Sequence, residues 1–538
     1  MEKILLGNEA IIQGALEAGV QFVSTYPGTP ASEIGNIFYK LYQNKEFLGH
    51  FEFSINEKVA LEAGVGASFS GLKTLVAMKN FGMNVASDAL LPFVYTGSKG
   101  PTVIIVADDP SCHSSAQSEE NSRPFAYLAH IPTLEPSDPQ ECKDFVKLAF
   151  TISEKFKIPV ILRTTTRVAH QKMPVILNKI PNPKLQIPNG KFVKDYKRFV
   201  TLPPRVLEMK EELLEKIEKI RAFAEANGDA TASGGRIPNA AGIITSGISY
   251  LYVMESLEEL QLDLPVLKLD FFYPLPEKKI KAFIKPLKKV LVVEELEPYL
   301  EKEIRGLAKE ANCRLEVFGK NLIPEVGELK PEIVISAIAK FASKKLKISN
   351  WKLGIPIPKR RPQPCPGCPY WSVIAGIKKA VDQKEVIFGG EIGCYMLFGN
   401  PPIDLQDYLS CMGSGVGIAH GIKKASAGKQ KLITFVGDSS FFHAGIPALI
   451  NTVFNKSNPL IIILNNETTA MTGHQPHPVS AGSNTGINLE NIVRACGVKY
   501  VKTIDPQNQD EFIQTVKEFL EKTEVAVIIA KHPCKFIQ

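Results

Sequence analysis

The sequence predicts an α/β protein of several domains, built on mainly parallel sheets. Three observations carry that prediction. Apolar runs such as VQFVSTYP, TVIIVAD, KIPVILRT, KLITFV and PLIIILN recur along the chain and read as strands buried on both faces. Stretches of helical length separate many of them, as parallel strands require of their crossover connections. The chain is 538 residues long with 44% apolar content, so it can bury several cores, and roughly two to four domains are expected.

Residues 1–193 alternate strands with helices, the pattern of a mainly parallel domain. Within them HFEF reads as a strand and NEKVALEAG as a helix that starts at Glu57 behind the cap Asn56. Residues 194–239 form a helical connector. RVLEMKEELLEKIEKIRAFAEANGD has helical periodicity and mixed charge, the marks of a solvated helix, and ends in the Gly- and Ser-rich break TASGGRIPN. In 240–345 the runs AGIITSG, LPVLKLD and KKVLVVEE predict another α/β unit. The proline-rich arm NWKLGIPIPKRRPQPCPGCP then leads through 346–538, the last domain.

Composition narrows the function. A net charge of +7 from 63 basic and 56 acidic residues makes no case for nucleic acid. KRR at 359–361 suits either an acidic partner or a solvated loop. MEKILLGNEA lacks the features of a secretory signal, and no apolar run is long enough to span a bilayer, so a soluble cytoplasmic protein is expected. Nine cysteines in a chain of this size favour a reducing compartment with a metal or cluster site over a disulfide scaffold.

The segment FVGDSSFFHAGIPALINTVFNKSNPLIIILNNETTAMTGHQPHP carries the chemistry. A crossover between KLITFV and PLIIILN would set the strands side by side, with Asp438 and Asn466 at their carboxyl ends, where open α/β sheets bind ligands. A carboxylate, an amide oxygen and backbone carbonyls suit Mg2+, whose shell is completed by water and substrate phosphates. An Asp-Ser turn and an Asn-Asn loop on an ordinary sheet explain the same residues without a ligand. The segment resembles the thiamine diphosphate signature, Gly-Asp-Gly followed one crossover later by Asn-Asn. Gly437, Asp438, Asn465 and Asn466 occupy the matching positions, with Ser439 where the signature has its second glycine. The resemblance implies that Asp438, Asn466 and the Thr468 carbonyl bind Mg2+.

Thiamine chemistry also needs a carboxyl group that exchanges a proton with the aminopyrimidine ring. Glu57, where a strand turns into a helix, is the leading candidate; Glu9, Glu33 and Glu62 read as caps or exposed positions. An ordinary glutamate favoured by the helix dipole is the plain alternative.

LLGNEAIIQGALEAGV, YPGTPASEI, NEKVALEAG, DDPSCHSSAQSEENSR, CPGCP, GDSSFFHAGI and NNETTAMTGHQPHP together resemble the α subunits of the indolepyruvate:ferredoxin oxidoreductase family, from the first residues nearly to the last. The resemblance implies two thiamine-binding-type parallel-sheet domains flanking a transketolase C-terminal-like α/β domain. It also implies oxidative decarboxylation of aryl 2-oxoacids to acyl-CoA, with CoA as cosubstrate, ferredoxin as electron acceptor, a small β subunit and a dimer of αβ units. Such α subunits normally end in a ferredoxin-like region with two cysteine runs, whereas this sequence stops at HPCKFIQ. Related 2-oxoacid oxidoreductases hold a 4Fe-4S cluster near thiamine on similar cysteines, which here are Cys365, Cys368, Cys394 and Cys534. CPGC alone could instead be a redox pair or half a zinc site, and Cys411 could compete as a ligand. By the same resemblance Thr29 in YPGTP and Arg123 in SEENSRPF bind the substrate's polar end, and His443 and His474 are candidates for proton relay. Non-oxidative decarboxylation, or a noncatalytic assembly role, would use the same cofactor fold.

Overall fold

The computed structural model describes residues 1–180, 186–227, 232–233, 240–344, 361–426, 429–480, 483 and 485–537. Its chain divides into two compact units, Met1–Trp351 and Lys352–Gln538. Most of the proline-rich arm, including Lys359 and Arg360, and most of the break at 231–239 lie outside the described residues.

The first unit holds a seven-stranded sheet in the order Phe271–Tyr273, Thr133–Leu134, Val160–Thr165, Thr102–Asp108, Thr74–Lys79, Phe22–Thr25, His50–Phe53. All neighbours run parallel except the first pair. TVIIVAD is buried at every position, as a central strand covered by helices on both faces must be. A five-stranded sheet follows the order Glu316–Phe318, Lys289–Val293, Ala241–Ser246, Val266–Leu269, Ala232–Ser233, parallel except for the last pair. Residues 271–273 therefore leave the segment expected at 240–345 to close the edge of the first sheet.

The charged helix Arg205–Asn227 is solvated on one face only. Met209, Leu213, Ile217, Ile220 and Ala224 are buried at helical spacing, and the last four join the core of this unit. The mixed charge of the sequence disguised a narrow apolar stripe.

The second unit is built on a six-stranded, wholly parallel sheet in the order Tyr408–Leu409, Val386–Gly390, Lys431–Gly437, Leu460–Asn465, Ala526–Lys531, Tyr500–Ile504. Lys431–Gly437 and Leu460–Asn465 lie side by side in parallel, with Gly437 opposite Leu464, and the helix Ile446–Phe454 makes the crossover between them. That register brings the GDS and NN loops to the same end of the sheet. Among the described residues no helix is long and apolar enough to cross a membrane.

Candidate active site

In the second unit Asp438 opens the turn Asp438–Ser440 directly after its strand and is 3% exposed. Its Oδ1 accepts the Ser439 N–H at 2.8 Å, and its Oδ2 accepts the Glu467 N–H at 2.9 Å, so the carboxylate pins the two loops together. Asn465 Oδ1 also accepts the Glu467 N–H, at 3.2 Å, and Asn466 Oδ1 accepts the Thr468 N–H at 3.2 Å. Ser439 sits in a right-handed helical turn, so nothing in the backbone here demands glycine. Its hydroxyl accepts from Thr469 Oγ1 at 3.2 Å. Among the described residues only His477, whose Nε2 is 3.3 Å from Oδ2, pairs with the buried Asp438 carboxylate. A carboxylate beside amide and carbonyl oxygens is a hard donor set that suits a divalent cation.

The two histidines taken from the sequence fare differently. His443 is buried in the π-helical turn Phe441–Gly445 that follows Asp438. His474 is exposed, with its ring 6.0 Å from that of Phe536. Gly473 and His474 both have positive φ in the GHQPHP loop, and His477 of that loop lies against Asp438. Both histidines stand in one short motif, and the turn between them carries no sequence signal that chooses one.

Four cysteines gather around the same sheet end. Burial, and then the thiols of Cys368, Cys534 and Cys365, push the Cys394 thiol up to about 12. Burial raises Cys368 as well, with Cys365 and Cys534 adding to it. Cys368 and Cys394 also pack against the same apolar core of this unit. Among the described residues no three His, Cys, Asp or Glu side chains are close enough to hold one metal ion. The Cys534 N–H donates to the Asn466 carbonyl at 3.0 Å, tying this segment to an oxygen-donor loop, and the Lys535 side chain donates from Nζ to the Pro366 carbonyl in the CPGC loop. Cys411 is exposed. Glu391, at the end of Val386–Gly390, escaped the sequence reading; it is fully buried, and burial pushes its carboxyl up to about 7.

In the first unit Glu57 begins the helix Glu57–Phe69, and the Asn56 side chain caps it by accepting the Val59 N–H at 2.8 Å. Glu57 is 7% exposed and lies against Gly82, where an added Cβ would come 2.6 Å from Glu57 Cγ. Gly82 therefore makes the space that the carboxylate side chain occupies.

Thr29 is half-buried, and its carbonyl accepts from Lys79 Nζ at 2.7 Å and from Ser114 Oγ at 3.0 Å. Its hydroxyl meets Ser32 Oγ at 3.3 Å. Asp109 underlies this loop. Burial alone would raise its carboxyl, but bonds from Ser115, Thr166 and the Ser114 N–H, with the Lys79 ammonium, hold it at about 2.

Arg123 is enclosed by carboxylates of its own unit. Its guanidinium is 2% exposed, bonds to both oxygens of Glu135 at 2.7 and 2.8 Å, and reaches Glu294 at 2.7 Å and Ser246 at 2.9 Å. A fork already matched to a carboxylate and packed over Phe272 is a structural ion pair linking segments of this unit. Burial would raise the Glu135 carboxyl, but Arg123 and Arg163 outweigh it and hold Glu135 at about 2.

Comparison with known proteins agrees with this architecture. Residues 391–530 match the family model "Thiamine pyrophosphate enzyme, C-terminal TPP binding domain", and residues 13–214 match "Pyruvate flavodoxin/ferredoxin oxidoreductase, thiamine diP-bdg". The indolepyruvate oxidoreductase subunit IorA of Methanothermobacter thermautotrophicus is 42% identical, over 98% of this chain and 86% of its own length. Its counterpart in Archaeoglobus fulgidus is 40% identical, over 100% of this chain and 87% of its own. A solved 2-oxoglutarate:ferredoxin oxidoreductase from Magnetococcus marinus shares the fold, with a TM-score of 0.50 at 18% identity over 63% of this chain and 65% of that one. The full-length similarity to these curated relatives shows that the chain belongs to the indolepyruvate oxidoreductase subunit IorA family.

Proposed function

We propose that the protein is the thiamine diphosphate-dependent catalytic subunit of an oxidoreductase that oxidatively decarboxylates aryl 2-oxoacids of the indolepyruvate type. The products are acyl-CoA and CO2, and the electrons pass to ferredoxin. The observation that carries this reading is the meeting, at one end of one parallel sheet, of an oxygen-donor loop pair and a cysteine-bearing strand end, joined by the Cys534 N–H to Asn466 carbonyl bond at 3.0 Å. A thiamine enzyme that only decarboxylates needs the first; one that oxidises needs an electron acceptor as well.

In this reading Asp438, Asn466 and the Thr468 carbonyl hold Mg2+ against the diphosphate, with Gly437, Ser439 and Asn465 shaping the loops around it. When bound, thiamine supplies the carbanion and the electron sink that decarboxylation requires. Glu57 exchanges a proton with the cofactor's ring nitrogen. The Thr29 loop, braced by Lys79 and Ser114, orients the 2-oxoacid, and His443 moves protons near the reacting carbonyl. Cys365, Cys368, Cys394 and Cys534 hold a 4Fe-4S cluster that accepts electrons singly. A small β subunit completes the enzyme, as a dimer of αβ units in the cytoplasm.

The test is anaerobic purification with co-purifying partners, analysis for thiamine, Mg2+, iron and sulfide, and assay with indolepyruvate, CoA and a ferredoxin. CoA-dependent acyl-CoA formation with about four irons per chain is expected from the four-thiolate site. Iron-free protein that releases aldehyde instead would replace this reading with simple decarboxylation.

A further inference from the structure

We infer that the buried Tyr395–Glu391 pair couples the cysteine set to the magnesium diphosphate site, so that filling either one strengthens binding at the other. The inference rests on the proposed function, in which Cys394 is a cluster ligand and Asp438 a magnesium ligand.

Tyr395 directly follows Cys394, and Gly437 directly precedes Asp438. The Gly437 N–H donates to Tyr395 Oη at 2.8 Å, with Glu391 Oε1 a second acceptor at 3.3 Å. The Tyr395 hydroxyl in turn donates to Glu391 Oε1, and the other carboxylate oxygen of Glu391 accepts the Gly413 N–H at 3.0 Å, at the start of the helix Ser414–Ala425. One hydroxyl and one carboxylate thus join three loops at strand ends.

Glu391 is fully buried and Tyr395 is 2% exposed. An added Cβ at Gly393 would come 2.2 Å from the Tyr395 ring, and one at Gly437 would come 3.0 Å from it, so glycines on both loops let the ring sit where it does. Tyr395 Oη also lies 3.1 Å from the Ile392 carbonyl and 3.4 Å from Ser440 Oγ, on the same two loops, so moving either loop disturbs several bonds of one buried network.

The sign of the coupling follows from ordering. A cluster that fixes Cys394 also fixes the neighbouring hydroxyl, and with it the backbone N–H that positions the Asp438 turn. The second ligand then meets a loop already held in place. The backbone bond from Cys534 to the Asn466 carbonyl runs in parallel, from the other cysteine strand to the other donor loop.

The experiment uses anaerobic full-length protein with and without reconstituted iron and sulfide, and measures Mg2+–thiamine diphosphate binding by calorimetry. Wild-type protein is expected to bind the cofactor on the order of tenfold tighter with the cluster in place. In Tyr395→Phe, which keeps the ring but not the hydroxyl, that ratio should fall towards one; Glu391→Gln should reduce it similarly. By reciprocity, bound Mg2+–thiamine diphosphate should make the cluster harder to remove with an iron chelator, read as iron retained at equilibrium, in wild-type protein and not in Tyr395→Phe. Circular dichroism and melting confirm that each variant is folded, and either folded variant suffices. Equal affinities with and without cluster in wild-type protein, or a ratio unchanged in both variants, would overturn the coupling alone. Failure of wild-type protein to take up iron would overturn the cluster reading, and the coupling with it.

Discussion

Glu57 sits in a space that another residue keeps open, and the two residues give separate predictions. Glu57→Gln preserves the size of the side chain and removes its proton exchange. Thiamine diphosphate affinity should stay near wild type, while exchange of the cofactor's C2 proton, followed by NMR, slows by about 10²- to 10⁴-fold. Gly82→Ala leaves the carboxylate intact but pushes into Glu57 Cγ. The same exchange should slow by up to about 10²-fold through misplacement alone. A wild-type rate in Glu57→Gln would remove that residue from the role. Asp438→Ala, in contrast, should weaken cofactor binding in a way that rising Mg2+ restores only partly, because a charged ligand has gone; titration at several Mg2+ concentrations reads this directly.

At the scale of elements, the helix Arg205–Asn227 is a working part of the first unit's core. Ile217 is 2% exposed within the buried stripe. Ile217→Ala should cost about 2–5 kcal/mol, seen as a lowered melting temperature, whereas substitution of the exposed Glu215 should leave it nearly unchanged. The buried charges between the sheets of this unit set its pH response. Glu135 is held at about 2, below its ordinary value of 4.5, so its contribution is full above pH 4.5 and is lost as pH falls towards 2. Glu295 has the opposite sign. Burial pushes its carboxyl up to about 7, although the Leu329 N–H and Arg163 oppose the shift. The unfolded chain therefore releases its proton first, and stability drains away as pH rises from 4.5 to 7. Glu295→Gln should remove that loss, making the variant relatively more stable by up to about 3 kcal/mol above pH 7 and by little near pH 4.5. Hydrogen exchange at the amides of Lys289–Val293, measured across that range, checks the sign.

For the whole molecule, the reading requires residues that stand far apart in sequence to form one cluster. Serine at Cys365, Cys368, Cys394 or Cys534 should lower iron and sulfide content in anaerobic protein, whereas Cys313→Ser, on an exposed thiol of the other unit, should not. A drop confined to the CPGC pair would point to a different metal site.

Much of this was legible along the chain, because strands buried on both faces must be apolar throughout and loops that hold diphosphate draw on few residue types. The alternation of strands and helices, the shared sheet end of Asp438 and Asn466 and the cap before Glu57 follow from local composition and spacing, and the order of the motifs is what the family resemblance added. What only the tertiary structure decided involves partners distant in sequence. Arg123 bonds to Glu135 and Glu294, which stand 12 and 171 residues away, since a guanidinium binds whichever carboxylate the fold brings to it. His477 comes within 3.3 Å of the Asp438 carboxylate only through the way its loop folds back. Glu391 carries no motif at all; its importance lies in being buried where three loops end, and burial is a property of the packed chain, not of the residue.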